Sequence, residues 1–327
     1  MNVLVSGGAG YVGSHAARML ANAGHDVWVY DNLVFGHRGA VAPGRLIEGD
    51  LLDQAKLVDV LRSREVDAVM HFAAFAYVGE SVTDPAKYYH NNVVGTLSLM
   101  DAMRAAGVRR IVFSSTCATY GEPAEVPIRE TESQEPINPY GFTKLVIEKA
   151  LADYASAYDW GFAALRYFNA AGASADGDLG EDHDPETHLI PLVLQVALGQ
   201  REHITIFGDQ HPTPDGTCVR DYIHVDDLAS AHISALERLA PGVGFRCNLG
   251  TGRGTSVKEV IEACRAVTGH PIPAVVAGPR AGDPPALVAD SSLARRELGW
   301  IPKFTSIAPI VESAWKWHQS HPQGFDD

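Results

Sequence analysis

The first half of the chain alternates short apolar runs with stretches of helical period, and few architectures accommodate that rhythm. Val3-Leu4-Val5 is followed by a helix-like stretch from Tyr11 to Ala23, and Val27 to Tyr30 is again strand-like. Leu46-Ile47-Glu48 is a third short run, Leu57 to Arg64 has helical period, and Ala68 to Phe72 is the next apolar run. Tyr88 to Ala106 predicts a helix and Arg110 to Ser114 a strand. Strands that alternate with helices pair in parallel, and the crossovers cover both faces, so the expected class is α/β with a doubly wound parallel sheet. A long helix from Tyr140 to about Tyr158, introduced by Pro139, and a strand from Phe162 to Phe168 complete this half.

From Asn169 onward the rhythm is lost. Gly172 to Pro185 is rich in Gly, Asp and Ser and reads as a loop, and a helix is predicted from Leu189 to Leu198. Pro-rich connections follow at Pro212-Thr213-Pro214 and around Pro279 to Pro285. This half reads as a smaller C-terminal lobe closing over the carboxyl ends of the strands, where ligands of such sheets sit. The expected division assigns residues 1–168, joined by about 218–240, to the first lobe, and 169–217 with 241–327 to the second.

A length of 327 residues suits one large domain or two lobes. No run of about 18 apolar residues is present, so no membrane span is expected. The start, Met1-Asn2-Val3, enters a strand at once and lacks the basic region and cleavage site of a signal peptide. A formal net charge of −14 argues against nucleic acid and anionic membranes as partners. The four cysteines, at 117, 218, 247 and 264, show no CxxC spacing and read as reduced thiols of a cytoplasmic protein. No metal ligands are assigned.

The loop Gly7-Gly8-Ala9-Gly10-Tyr11-Val12-Gly13 joins the first strand to the first helix. Gly7 allows a tight turn, Gly10 lets the backbone approach a pyrophosphate, and Gly13 lets helix and strand pack closely; the helix N-terminus supplies unpaired N–H groups and partial positive charge. The spacing, with two residues between successive glycines, differs from G-x-G-x-x-G. Asp31, followed by Asn32, ends the second strand, where an acid accepts hydrogen bonds from the adenosine ribose and repels a 2′-phosphate, so NAD is expected rather than NADP. Asp50-Leu51 is placed beside the adenine and Phe72-Ala73-Ala74 along the cofactor, although each also fits ordinary sheet packing.

Tyr140 and Lys144 stand four residues apart at a predicted helix start, hence on one face. A neighbouring ammonium, with a positive nicotinamide, stabilises the phenolate and makes Tyr140 a candidate base for a sugar hydroxyl. The strand Phe113-Ser114-Ser115-Thr116 ends just before it and brings hydroxyls to the same place. Alone, the pair also fits a solvated helix face.

These residues together resemble the extended short-chain dehydrogenase/reductase superfamily, with its Rossmann-type sheet, and within it the UDP-glucose (UDP-galactose) 4-epimerases. The resemblance runs through Gly7 to His15, Asp31-Asn32, His71-Phe72-Ala73, Tyr88 to Thr96 with Asn91-Asn92, Phe113 to Gly121 and Asn138-Pro139-Tyr140-Gly141. It continues through Arg166 to Asn169, Gly180-Glu181-Asp182, Val219 to Val225 and His321 to Gly324. It implies reversible C4 epimerisation through a 4-keto sugar and NADH, with Tyr140 as acid/base, Lys144 as its electrostatic partner and Thr116 relaying the proton from O4. It further implies cofactor contacts at Asn92, Ser114, Tyr167 and Phe168. The UDP-hexose would meet Asn169, His188, Leu189, Arg220, Arg280 and Asp283, with Thr205 and Phe207 at the uracil. A homodimer through the helices starting at Tyr88 and Tyr140 is implied as well.

Three positions depart from the pattern. Ala76 stands where some members have lysine, and His188 where another has asparagine. Leu287 stands where a tyrosine narrows the hexose pocket or a small residue admits N-acetylhexosamines, so UDP-glucose/UDP-galactose is the expected pair, with weak turnover of UDP-GlcNAc. A 4-epimerase of another UDP sugar (UDP-GlcNAc/UDP-GalNAc or a UDP-pentose) and a non-enzymatic NAD-binding regulator are the remaining alternatives. A dehydratase would carry Asp-Glu after the threonine, whereas Cys117-Ala118 follow Thr116.

Overall fold

The structure is a computed structural model and describes residues 1–280 and 283–326. Seven strands form one sheet in the order Gly244–Leu249, Gly161–Tyr167, Arg110–Thr116, Ala68–His71, Asn2–Ser6, Asp26–Asp31 and Leu46–Glu48. Every neighbouring pair is parallel. The first strand lies inside the sheet, and the order reverses direction between it and Ala68–His71. A crevice therefore opens at the carboxyl ends of these two strands.

The apolar runs are continuous because both faces are covered. Successive side chains point to opposite faces. Val3 and Val5 pack with Ala16 and Leu20 of the helix Tyr11–Asn22 and with Leu228, Ala229 and Leu236 of the helix Val225–Arg238. Leu4, between them, packs on the other face with Leu57, Leu99, Met103, Ile147 and Leu151. Truncating fully buried Leu4 to alanine would cost about 2–5 kcal/mol.

The chain is helical throughout the range expected from Tyr88 to Ala106, with a π-helical turn inside it. Short helices Val78–Thr83 and Pro85–Tyr88 precede a π-helical turn, Tyr89–Val94, and only Gly95–Ala106 is regular α-helix. Pro85 has no N–H to continue the preceding helix, and Asp84 caps the new one by accepting from the Lys87 amide at 3.3 Å.

The second lobe holds a four-stranded sheet of Asn169–Ala171, Val219–His224, Gly254–Ser256 and Ala286–Leu287, and a ribbon of Ile204–Phe207 with Ala274–Ala277. Its core gathers Ile190, Leu194, Ile206, Tyr222, Ile261, Val311 and Trp315. The division differs from the expected one in two places. Gly244–Leu249 belongs to the first sheet, because Cys247 and Leu249 pack into its core and its pairing covers what would be the open edge of Gly161–Tyr167. Val219–His224 pairs in the second sheet, while the helix Val225–Arg238, with Ile223 and Leu239 on either side of it, packs into the core of the first lobe.

Candidate active site

The glycine loop is built to admit an anion. Gly7 has φ +73°, and a Cβ on it would lie 2.3 Å from the Ala73 amide nitrogen, while one on Gly13 would lie 2.1 Å from the Gly7 carbonyl oxygen. Both glycines are therefore demanded by the protein itself. Gly10 is different: it has φ −82°, and a Cβ there would come no closer than 3.6 Å to a protein atom, the Gly7 oxygen. Glycine at that position leaves open space at the N-terminus of Tyr11–Asn22, a helix with no side-chain cap and no acidic residue in its first turn. Those features fit a dinucleotide pyrophosphate. Val12 packs against the first core, and the Tyr11 hydroxyl donates to the Gly172 carbonyl at 2.6 Å, tying the loop to the second lobe.

Asp31 accepts the Ala9 amide at 3.0 Å and the Leu33 amide at 2.9 Å, so it braces the loop at the end of the second strand. Burial raises its carboxyl pKa, opposed by those amides and by His37. Each carboxylate oxygen keeps a second acceptor site, as a ribose diol requires. Asn32 donates to Asp50 at 3.0 Å across the same rim. Leu51 is buried in the core with Leu57, and Phe72 packs on the His232 ring at 4.8 Å. The Ala73 amide donates to the Ser6 carbonyl at 3.1 Å, holding the half-buried Ala73 and Ala74 beside the glycine loop. Asn92 is fully buried: it bonds both the amide and the carbonyl of Phe75, at 2.9 and 3.0 Å, and the Thr143 hydroxyl at 3.2 Å. Its place is under the loop, fastening it to the Tyr140 helix.

The helix Pro139–Tyr158 begins where the residues demand it. Asn138 accepts the Gly141 amide at 2.8 Å as N-cap, and Pro139 occupies the first turn. A Cβ on Gly141 would lie 2.4 Å from the Ala118 carbonyl oxygen, so glycine lets this helix press against the turn following Thr116. The contact sets the Tyr140 side chain beside Thr116, whose hydroxyl acts on the tyrosine's pKa. Lys144, fully buried, donates to the Ser114 carbonyl at 2.8 Å and stands 4.8 Å over the Phe113 ring. The Ser114 hydroxyl bonds the Tyr167 hydroxyl at 2.7 Å, and Phe168 is buried with Cys117.

The protein's own groups push Tyr140 the opposite way from the sequence-based expectation. Burial raises its pKa strongly and Tyr167 adds to this, while the Thr116 hydroxyl lowers it. The cause is distance and desolvation: the Lys144 nitrogen is 5.9 Å from the Tyr140 ring centroid, and burial lowers Lys144 itself to about 7, with Glu148 opposing.

Behind the pair lies a network that sequence reasoning missed. Glu148 accepts from Ser115 at 2.6 Å and from Arg166 at 2.9 Å and 2.5 Å. Arg166 also donates to the Tyr120 hydroxyl at 2.8 Å, which donates to Asn248 at 2.7 Å. A sequence signal existed: Glu148 follows Lys144 as Lys144 follows Tyr140, four residues on and on the same helix face.

The substrate-side residues gather on the strand Val219–His224. Asn169 pairs with Tyr222 in one neighbouring strand and Leu287 with Arg220 in the other. Leu287 packs against the cluster of Cys117, Tyr120 and Phe168. Arg220 donates to the Val219 carbonyl at 2.8 Å and pairs with Asp283. Thr205 and Phe207 lie on the two-stranded ribbon, with the Arg280 guanidinium 4.0 Å over the Phe207 ring. His188 precedes the helix Leu189–Ala197 and lies between Glu181 and Glu186, whose charges raise its pKa well above the usual value although burial opposes them. Ala76 is exposed.

Residues 3–250 match the model of the NAD dependent epimerase/dehydratase family. The UDP-glucose 4-epimerase of Halalkalibacterium halodurans is 54% identical over 326 residues, covering 99% of this chain and 98% of the relative. The structure of UDP-glucose 4-epimerase from Brucella ovis in complex with NAD superposes with a TM-score of 0.93 at 53% identity, covering 96% of this chain and 97% of the other. The Bifidobacterium longum UDP-glucose 4-epimerase, solved with NAD+ and UDP, gives a TM-score of 0.95 at 40% identity over 99% of this chain and 100% of the other.

Proposed function

Because the chain belongs to the NAD-dependent epimerase/dehydratase family, with NAD as its cofactor, we propose that it interconverts UDP-glucose and UDP-galactose by inverting C4 of the hexose. The observation that carries this reading is the Gly141 contact that seats the start of the Tyr140 helix against the turn after Thr116, with Lys144 fixed one turn on by the Ser114 carbonyl.

NAD, when bound, would supply a hydride acceptor and donor for C4 of the hexose. Tyr140 takes the O4 proton, directly or through Thr116, and gives it back when the other face of the 4-keto sugar is presented. Lys144, close to half-protonated near neutral pH, supplies positive charge beside the phenolate as it forms. Arg220 exchanges its bond to Asp283 for the diphosphate, which suits a guanidinium fork. Asn169, His188 and Leu189 flank that group, while Thr205 and Phe207 face the uracil and Asp283 and Arg280 the ribose and phosphate. The nucleotide is gripped and the hexose is left free to turn, so remote binding energy holds the reacting carbon in place.

Cys117-Ala118 after Thr116 supports epimerisation over dehydration, since neither residue offers a carboxyl group to eliminate water. Leu287 on the Phe168 cluster supports a pocket sized for hexose, with slow turnover of UDP-GlcNAc. Tyr89, Val94, Phe142 and Tyr158 are exposed on the helices expected to pair, which supports a homodimer. Among the described residues no helix is long and apolar enough to cross a membrane. The four unpaired, buried cysteines support a cytoplasmic location. The test is turnover of purified protein, without added NAD, on UDP-galactose and separately on UDP-GlcNAc. Conversion of neither sugar overturns the reading.

A further inference from the structure

A second constellation lies outside the proposed chemistry, in the loop that leads into the helix Leu189–Ala197. Glu181 Oε1 stands 2.7 Å from His188 Nδ1 and 3.1 Å from His183 Nδ1. Glu186 Oε1 stands 3.0 Å from His188 Nδ1, and its Oε2 stands 3.9 Å from His183 Nδ1. One donor atom from each of the four residues lies within 4.8 Å of the others. Zinc bonds to nitrogen and oxygen of about 2.0–2.1 Å arranged tetrahedrally place neighbouring ligands roughly 3.3 Å apart, and the four separations straddle that value.

Both Nδ1 atoms face the same two carboxylates, whose side chains are only 4% and 5% exposed. A cation in place of the two imidazole hydrogens would meet all four side chains at once. Glu186 Oε1 is also fixed by the amides of Thr187 and His188, each at 2.7 Å, the kind of outer support that orients a ligand. An independent observation points to the same place. The buried Tyr77 hydroxyl has no hydrogen-bond partner among the described residues, and the Tyr77 ring meets His183 edge-on at 6.2 Å. Water on a bound ion would give that hydroxyl a partner.

We propose that Glu181, His183, Glu186 and His188 bind one divalent transition-metal ion, with zinc the best match to two imidazole nitrogens and two carboxylate oxygens. The ion staples the second lobe to the cofactor loop, because His183 also meets the Tyr11 ring at 6.3 Å. Binding through Nδ1 leaves Nε2 of the 40%-exposed His188 available to substrate. The site is independent of which UDP sugar is turned over.

The experiment uses the NAD-loaded full chain, stripped with chelator and dialysed against zinc chloride, with bound metal measured by plasma mass spectrometry. One zinc per chain is expected, with affinity falling at least tenfold in His183→Ala and in Glu186→Gln. No binding at micromolar zinc, or equal binding by wild type and both variants, overturns the proposal. Melting temperature and NAD content identify a variant that fails to fold. Anomalous scattering at the zinc edge from wild-type crystals then decides the matter: a peak among the four donor atoms supports the site, and zinc elsewhere or nowhere refutes it.

Discussion

The Lys144 ammonium nitrogen donates to the Ser114 carbonyl oxygen at 2.8 Å and thereby pins the Tyr140 helix to the strand that ends in Thr116. The residue that supplies charge is also a structural tie. Lys144→Met is expected to lower turnover about 10²–10⁴-fold, in the range of lost acid–base assistance, and to weaken NAD retention, while Lys144→Arg restores charge without the tie. Steady-state kinetics with cofactor content measured in the same samples checks this, and an unaltered kcat in Lys144→Met contradicts it.

Tyr140→Phe removes the proton-carrying oxygen and keeps the ring. Turnover should fall about 10²–10⁴-fold, with NAD content and melting temperature within error of wild type. Thr116→Val should cost less, because Tyr140 can still reach O4 directly. A Tyr140→Phe enzyme with ordinary turnover would remove the proposed base.

Gly141→Ala places a Cβ 2.4 Å from the Ala118 carbonyl oxygen, which has no flexible end to move. The helix must back away from Thr116. A stability loss of about 1–3 kcal/mol, the usual cost of overpacking, should accompany a drop in kcat, read by denaturant titration and assay. Equal stability and rate would show that the two segments are not pressed together.

Leu287 sets the sugar preference through its seat on the Phe168 cluster. Leu287→Gly should raise the UDP-GlcNAc to UDP-galactose ratio of kcat/KM, and Leu287→Tyr should lower it. One methylene in a hydrophobic pocket is worth about 1–3 kcal/mol, or tenfold and upward. Identical ratios in both variants would move the specificity question to another wall of the pocket.

Acid should destabilise the fold through buried neutral histidines. Burial lowers His71 to about 3 with the Lys144 charge adding to it, lowers His224 to about 4 against Asp226, and lowers His232 to about 4. The unfolded chain binds these protons near pH 6.5 and the folded chain does not, so stability is full above pH 6.5 and falls as pH drops toward 4. Each histidine contributes up to about 1.4 kcal/mol per pH unit in that window. His71→Gln should flatten the slope by one proton in denaturant titrations across pH 4–7.

Periodicity and glycine spacing revealed what depends on near neighbours in sequence: the parallel sheet, the glycine turn between the first strand and the first helix, and the helix entry at Pro139. They did not reveal the partners of Arg166, because Glu148 reaches it from the helix Pro139–Tyr158 and Tyr120 from the turn after Thr116. The start of a new helix at Pro85 was legible in principle, since proline cannot donate to the turn before it. The switch of Gly244–Leu249 to the first sheet was not, because its alternation of apolar residues fits either lobe. The tyrosine's pKa direction depends on burial, which only the folded chain defines.

The return of Gly244–Leu249 to the first sheet has a consequence for synthesis. The nucleotide lobe lacks an edge strand until residue 249 has left the ribosome, so roughly three-quarters of the chain must wait with Gly161–Tyr167 open on one side. An exposed parallel edge of apolar residues invites pairing with another nascent chain. Truncation before that point is thus expected to give an aggregating fragment, and the C-terminal portion completes the cofactor lobe as well as the substrate lobe.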